Sequence, residues 1–117
     1  MPNPARLWVV NYAGHNLSPA LEYTSLDPDE AFRFLTEGSV NVFETDRLAR
    51  MFDENMQEFQ SHDFLVLTGS VVLNVLAALA ALRRSPQVSI LIWHAREHNY
   101  IARTIRATAG FSVIEKG

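Results

Sequence analysis

Leu7-Trp-Val-Val-Asn-Tyr-Ala-Gly-His-Asn16 runs from bulky apolar residues into a short polar loop that contains glycine. Phe64-Leu-Val-Leu-Thr-Gly-Ser70 repeats this arrangement in the middle of the chain. Short apolar and β-branched runs of this kind are typical of strands that are buried on both faces. Because each run is followed by a plausible helix, the pair predicts a parallel sheet with a ligand crevice beyond the carboxyl ends of its strands.

The length of the chain bounds its organisation. With 117 residues it can bury one hydrophobic core but not two, so we expect a single α/β domain over residues 1–117. The predicted architecture is a three-layer Rossmann-like or flavodoxin-like parallel sheet of four to five strands. An antiparallel edge strand is an open alternative.

Composition limits the partners. The chain has 10 Lys and Arg against 13 Asp and Glu, and its arginines are scattered, so nucleic acid is not an expected partner. No apolar run is long enough to span a bilayer, and no membrane partner is expected. The absence of cysteine excludes disulfides, cysteine nucleophiles and thiolate zinc sites. Since the N-terminal residues also lack a secretion signal, we expect a cytoplasmic protein.

Capping signals predict two helices between the two glycine-containing junctions. Ser18-Pro19 opens a short helix toward Tyr23, because serine caps a helix and proline suits its first turn. Local rules also make Pro28–Glu37 a helix, closed by Gly38. The alternation within Phe32–Phe34 favours a strand equally well, so both interpretations stay open.

The central segment contains the clearest helical patterns. Val40–Phe43 is short and β-prone, and Thr45 can cap the helix that follows it. Val71–Leu82 is apolar nearly all round, which predicts a helix wedged between the sheet and another layer. The helix after Thr45 is marked by an apolar stripe of Leu48, Met51, Phe52, Met56 and Phe59.

The last third of the chain allows two interpretations. Val88–Trp93 is a buried strand, and residues 95–109 carry apolar positions at helical spacing before Gly110. A helix over residues 95–109 followed by a strand Phe111–Ile114 is the preferred prediction. The rival is a β-hairpin in which Tyr100–Arg106 returns antiparallel to the strand before it.

Polar and glycine residues at the two junctions form the candidate ligand site. In a sheet with a central first strand, the loops after the first and third strands lie side by side. Glycine lets a ligand approach the backbone, and the amide groups of a helix N-terminus attract anions. The predicted site for a phosphate, carboxylate or nucleotide moiety contains Asn11, Gly14, His15, Asn16, Thr68, Gly69, Ser70 and Asn74. The alternative is that the glycines only make turns, Ser70 only caps a helix, and Asn74 hydrogen-bonds a loop.

Three residue patterns suggest catalysis or metal binding, and each has an ordinary structural explanation. His15 is a candidate acid or base, although no carboxylate near it in sequence is an obvious orienter; Glu37 and Glu44 are the nearest prospects. Ser70 as a nucleophile lacks the Gly-x-Ser-x-Gly elbow. His94-Ala-Arg-Glu-His98 matches the letters of an inverted zinc-protease motif, but a strand runs directly into His94, so a solvated loop is expected and no metal site is predicted.

No motif identifies a cofactor or a reaction. The chain lacks a phosphate-binding loop of the Gly-x-x-x-x-Gly-Lys type, and Ala13-Gly14-His15 lacks the glycine spacing of a dinucleotide fingerprint. Whether the protein is an enzyme is therefore not decided by its sequence.

Three segments resemble small uncharacterised α/β proteins of tailed bacteriophages. They are Asn11–His15, Val40–Leu48 and Leu65–Ser70, and the likeness spans most of the chain. The resemblance implies a viral or mobile-element protein, either an accessory factor or a virion component. It assigns no functional residue.

Two functions from different classes follow. The leading hypothesis is a binding domain for an anionic or nucleotide-like small molecule at the two junctions. The alternative is a structural or interaction protein without a small-molecule site, which binds a protein partner or forms homo-oligomers. It is suggested by the apolar segment Val71–Leu82 and by aromatic residues expected at the surface, namely Trp8, Trp93 and Tyr100.

Overall fold

A five-stranded mixed sheet forms the centre of the computed structural model, which describes residues 4–107. The strand order is β2-β1-β3-β4-β5, with β1 to β4 parallel and β5 antiparallel to β4. The fold is therefore α/β, and the antiparallel β5 distinguishes the sheet from the all-parallel sheet of flavodoxin. The strands are β1 (Leu7–Val9), β2 (Phe32–Phe34), β3 (Phe64–Val66), β4 (Gln87–His94) and β5 (Asn99–Arg106).

Helices cover both faces of the sheet and create two hydrophobic cores. On one face α2 (Thr45–Asn55) and α3 (Val71–Arg84) pack against alternate strand residues such as Trp8 and Leu65. On the other face the 3-10 helix η1 (Ser18–Tyr23) and the short α1 (Pro28–Ala31) cover Leu7, Val9 and their neighbours. The alternation along β1 thus divides its side chains between two layers of helices.

The helix α3 begins where the sequence predicts but is covered on one side only. Ser70 caps it by accepting a hydrogen bond from the Leu73 amide at 3.2 Å. Its buried side is made of small residues and Leu73, whereas the side chains of Val71, Val75 and Leu79 are 78%, 52% and 51% exposed. The expectation of a helix wedged between two layers is wrong for residues 4–107, because no second layer covers this row.

Residues 28–43 contain less helix than local signals predict. The helix that starts at Pro28 ends at Ala31, and Phe32–Phe34 continues as β2 because these residues pair with β1. Gly38, at φ +70°, makes a turn after that strand rather than closing a helix. Val40–Phe43 forms no strand, and α2 starts at Thr45 with Glu44 in the capping position.

Residues 95–106 form a hairpin, so the preferred prediction of a helix over 95–109 is wrong. β4 and β5 pair along eight residues each, from Gln87 opposite Arg106 to His94 opposite Asn99. The connecting turn ends at His98, which has φ 50°. Pairing with β4 outweighs the helical spacing, because it supplies backbone hydrogen-bond partners along the facing edges of both strands and buries Tyr100. The predicted strand Phe111–Ile114 lies outside the described residues.

The amino ends of β1 and β3 are joined by the buried Asp63. One carboxylate oxygen accepts from the Arg6 amide at 2.9 Å, and the other accepts from the Trp8 indole and the Gln60 amide at 3.0 Å each. Trp8 is therefore 3% exposed rather than a surface residue, and Asp63 is 1% exposed.

None of the helices within residues 4–107 has the length and hydropathy to cross a bilayer.

Candidate functional site

The carboxyl ends of β1 and β3 are tied together by a reciprocal pair of hydrogen bonds. The Asn11 amide donates to the Thr68 hydroxyl at 2.9 Å, and that hydroxyl donates to the Asn11 carbonyl at 2.7 Å. The two junctions that define the sequence therefore lie side by side. A threonine hydroxyl performs the pairing that backbone groups perform within the strands.

The Asn11 side chain extends this connection to the loop after β2. Its amide group donates to the Gly38 carbonyl at 3.2 Å, and its oxygen accepts from the Thr36 hydroxyl at 2.9 Å. Gly69 lies directly against Asn11: a Cβ atom at position 69 would be 2.9 Å from the Asn11 Cβ, and Gly69 has φ +80°. Only glycine fits this position without movement of the loop.

Asn74 and Ser70 hold the loop between β3 and α3. The Asn74 oxygen accepts from the Thr68 amide at 3.1 Å, and its amide group donates to the Ser70 carbonyl at 3.0 Å. Ser70 therefore caps the helix and Asn74 hydrogen-bonds the loop, as the alternative without a ligand predicts. Asn11, Ser70 and Asn74 shape the loops beside a cleft without lining it.

A cleft of about 650 Å³ opens at the carboxyl ends of β1, β3 and β4. The loop after β3 is its floor, since β3 lies between β1 and β4 in the sheet. The loop after β1 supplies one wall and the β4–β5 hairpin supplies the other. The lining residues are His15, Asn16, Pro19, Leu67, Thr68, Gly69, Trp93, His98 and Tyr100.

The two walls are held in place by contacts between η1 and β5. The Tyr23 hydroxyl donates to the Tyr100 carbonyl at 2.6 Å, and the Asn99 side chain donates to Glu22 at 3.0 Å. At the other end of η1, the Asn16 oxygen accepts from both the amide and the hydroxyl of Ser18. The 3-10 helix η1 thus connects the loop after β1 to β5 and fixes the two sides of the cleft relative to each other.

The hairpin wall presents an exposed tryptophan supported by a buried tyrosine. Trp93 and Tyr100 face each other across the strand pair, with ring centroids 5.1 Å apart in an edge-on arrangement. Trp93 is 43% exposed, whereas Tyr100 is 2% exposed. Burial raises the pKa of the Tyr100 phenol, so its hydroxyl is neutral and able to donate at physiological pH.

His15 stands at the mouth of the cleft without an acidic partner. Its ring lies against Tyr12, with centroids 5.6 Å apart. Among residues 4–107 no carboxylate forms an ion pair with it, so the arrangement of base and orienting acid that catalysis would require is not formed there. Gly14 belongs to a neighbouring groove of about 570 Å³ that shares His15 and Asn16 with the cleft.

The His94–His98 motif occupies the hairpin turn. The two histidines lie at opposite ends of that turn, so the common helical face that the zinc-protease motif needs does not exist. Within the described part of the chain, no group of three or more metal-ligating side chains comes together.

Residues 6–107 match the model of one protein family, described as Phage Pam3 gp32-like protein. The chain belongs to this family. Membership in the Phage Pam3 gp32-like family confirms the resemblance to phage proteins that the two junctions and Val40–Leu48 carry. Neither the curated proteins nor the solved structures gave a match.

The predicted site lacks five residues that line the cleft: Pro19, Leu67, Trp93, His98 and Tyr100. Three of them lie in the hairpin, and a helix over residues 95–109 would have carried Tyr100 away from Trp93. The signal that could have found them is the content of Tyr100–Arg106, where a tyrosine, two isoleucines and a threonine favour a strand. Of the predicted residues, His15, Asn16, Thr68 and Gly69 line the cleft.

Proposed function

We propose that this protein binds a small anionic or nucleotide-like molecule in the cleft at the carboxyl ends of β1, β3 and β4. The observation that carries the proposal is the cleft itself. Its volume of about 650 Å³ lies within the range of about 300–1,000 Å³ that is typical of small-molecule pockets. It also lies where open α/β sheets bind their ligands, which supports a Rossmann-like relationship despite the antiparallel β5.

The lining supports recognition of an anion through hydrogen bonds rather than through fixed charge. Among residues 4–107 it contains two imidazoles, from His15 and His98, and no Lys, Arg, Asp or Glu. The cap of α3, Ser70, follows Gly69 in the chain, and the amide groups of a first helical turn favour negative charge. Binding of a cytoplasmic metabolite suits this site, and a cytoplasmic location is part of the proposal.

A thermal-shift measurement with nucleotides and phosphorylated metabolites tests the proposal. A compound that binds the folded protein raises its Tm, and the effect should be lost in a His15→Ala, His98→Asn double variant. Asparagine is chosen at position 98 because it tolerates the positive φ of the turn. Phe43→Leu, at a 90% exposed position that does not line the cleft, is the matched control.

The result that contradicts the proposal is equally specific. If no compound of the panel raises the Tm of the wild-type protein, the cleft has no such ligand. If a compound stabilises the double variant as much as the wild type, it binds elsewhere.

A second candidate function is self-association through the uncovered row of α3. Val71, Val75 and Leu79 are spaced four residues apart and exposed, beside an apolar groove of about 350 Å³ that includes Ile90 and Ile105. A row of this spacing can pack against the same row of a second copy across a twofold axis. This is the observation that favours a structural or interaction protein.

Light scattering coupled to size-exclusion chromatography tests self-association. The wild type should elute as an oligomer and Val75→Asp as a monomer, because the substitution places a charge in the apolar row. Phe43→Asp adds the same charge at another exposed apolar position and should leave the oligomer intact. A wild-type monomer at high protein concentration contradicts this candidate.

A further inference from the structure

We infer that the ligand of the cleft is a nucleoside monophosphate whose base stacks on the ring of Trp93. This inference rests on the proposed function and narrows it to one chemical class. It assigns Trp93 as the residue on which the base of the ligand stacks, and it limits the ligand to a single phosphate group.

The first step concerns the orientation of Trp93. Its ring contacts Tyr100 edge-on at 5.1 Å, and Tyr100 is buried and anchored through its carbonyl by the Tyr23 hydroxyl. The tryptophan is therefore held by a fixed neighbour while 43% of it stays exposed in a cleft. An exposed, pre-oriented aromatic face is the surface on which planar bases stack, and stacking of this kind accepts any base.

The second step concerns what else reaches a ligand on that face. The opposite wall carries His15, Asn16 and Pro19, and the floor carries Thr68 and Gly69. Imidazole and amide groups can donate to the oxygens of one phosphate. Tyr100 lines the same cleft but is 2% exposed, so its part is to support the Trp93 ring.

The third step concerns charge. Proteins hold di- and triphosphates with Lys or Arg and with carboxylates that bind Mg²⁺. The lining has none of these, and no three metal-ligating side chains group together within residues 4–107. A ligand with one phosphate suits this lining, and a triphosphate does not.

Tryptophan fluorescence makes the binding visible. The chain has two tryptophans, of which Trp8 is 3% exposed and Trp93 is 43% exposed, so quenching by a bound base reports on Trp93. The titrants are AMP, GMP, CMP and UMP, with ribose 5-phosphate as the compound without a base and ATP with Mg²⁺ as the compound with more phosphate. Dissociation constants for the variants are measured by calorimetry.

The expected result is saturable quenching by at least one nucleoside monophosphate. Trp93→Leu should weaken its binding about tenfold, while Trp93→Phe, which keeps an aromatic face, should retain most of the affinity. Phe43→Leu should bind as the wild type does.

Three outcomes overturn the inference in different ways. If ribose 5-phosphate binds as tightly as the nucleotides, or if Trp93→Leu binds as well as the wild type, no base stacks on Trp93 and only the wider cleft proposal survives. If ATP with Mg²⁺ binds more tightly than AMP, the limit to one phosphate is wrong. If none of the titrants binds by calorimetry, the inference fails, and the thermal-shift panel of phosphorylated metabolites decides separately whether the proposed function stands.

Discussion

The two ends of the β1–β3 pair use polar side chains in opposite ways. At the amino end, Asp63 is 1% exposed, and both of its oxygens accept hydrogen bonds, from Arg6, Trp8 and Gln60. At the carboxyl end, Thr68 joins the strands through Asn11, but a cleft remains open above it. Side chains join the strands at both ends; the carboxyl end opens into the cleft of about 650 Å³, whereas the amino end has a smaller pocket of about 400 Å³ beside the hydrogen-bonded Asp63.

This difference separates stability from function within one small sheet. A buried carboxylate whose two oxygens both accept hydrogen bonds from other parts of the chain is a structural connection. Exposed rings and imidazoles that line a cleft contribute little to folding and are available for binding. The comparison predicts how variants of the two ends will differ.

The largest effect is expected for Asp63→Ala. The substitution leaves the Arg6 amide, the Trp8 indole and the Gln60 amide without their acceptor, so we expect a loss of about 3 kcal/mol in the free energy of unfolding. Urea denaturation at neutral pH measures this loss. Glu54→Ala, at an exposed position of α2, should change the same quantity by less than about 0.5 kcal/mol. Equal midpoints for the two variants would mean that Asp63 is not the connection described.

An intermediate effect is expected for Gly69→Ala. The new Cβ would meet the Asn11 Cβ at 2.9 Å on a backbone with φ +80°, and we expect a loss of about 2 kcal/mol. Gly14→Ala is the matched control, because Gly14 has φ +88° with nothing within 4 Å of an added Cβ. It should lose about 1 kcal/mol from backbone strain alone. If both variants lose the same amount in urea denaturation, the contact between the two junctions is looser than their hydrogen bonds indicate.

The smallest effect on stability is expected for Trp93→Leu. Because Trp93 is 43% exposed and contacts one buried ring, the free energy of unfolding should change by about 0.5 kcal/mol or less. The same urea measurement tests this. A loss comparable to that of Asp63→Ala would assign Trp93 to the structure and would remove the contrast between the two ends.

The sequence is most informative where one local signal and the tertiary packing agree. Ser70 and the apolar run after it predict α3 with its cap, and the stripe through Leu48 and Phe52 predicts α2. The two junctions were predicted to be neighbours because apolar runs that end in glycine are typical of adjacent parallel strands. Those predictions locate four of the nine residues that line the cleft, namely His15, Asn16, Thr68 and Gly69.

Three other lining residues, Trp93, His98 and Tyr100, come together only if residues 95–106 form a turn and a strand rather than a helix. Local signals do not decide between these two structures. Ile101 and Ile105 suit one face of a helix and one face of a strand, since a separation of four residues is compatible with both periods. What decides is the pairing edge that β4 offers, which lies outside residues 95–109 and so is absent from their own local pattern. Likewise, Trp8 gives no sign in the sequence that Asp63, far along the chain, will accept its indole hydrogen.

The antiparallel turn between β4 and β5 has a consequence for the order of folding. His94 pairs with Asn99 across a short turn, whereas Asn11 and Thr68 are 57 residues apart in the chain. Closing a short loop is much faster than bringing distant segments together, so the hairpin can form long before β1 finds β3. The wall that carries Trp93 and Tyr100 can therefore form from neighbouring residues early in folding. The floor of the cleft forms later, when the parallel strands come together.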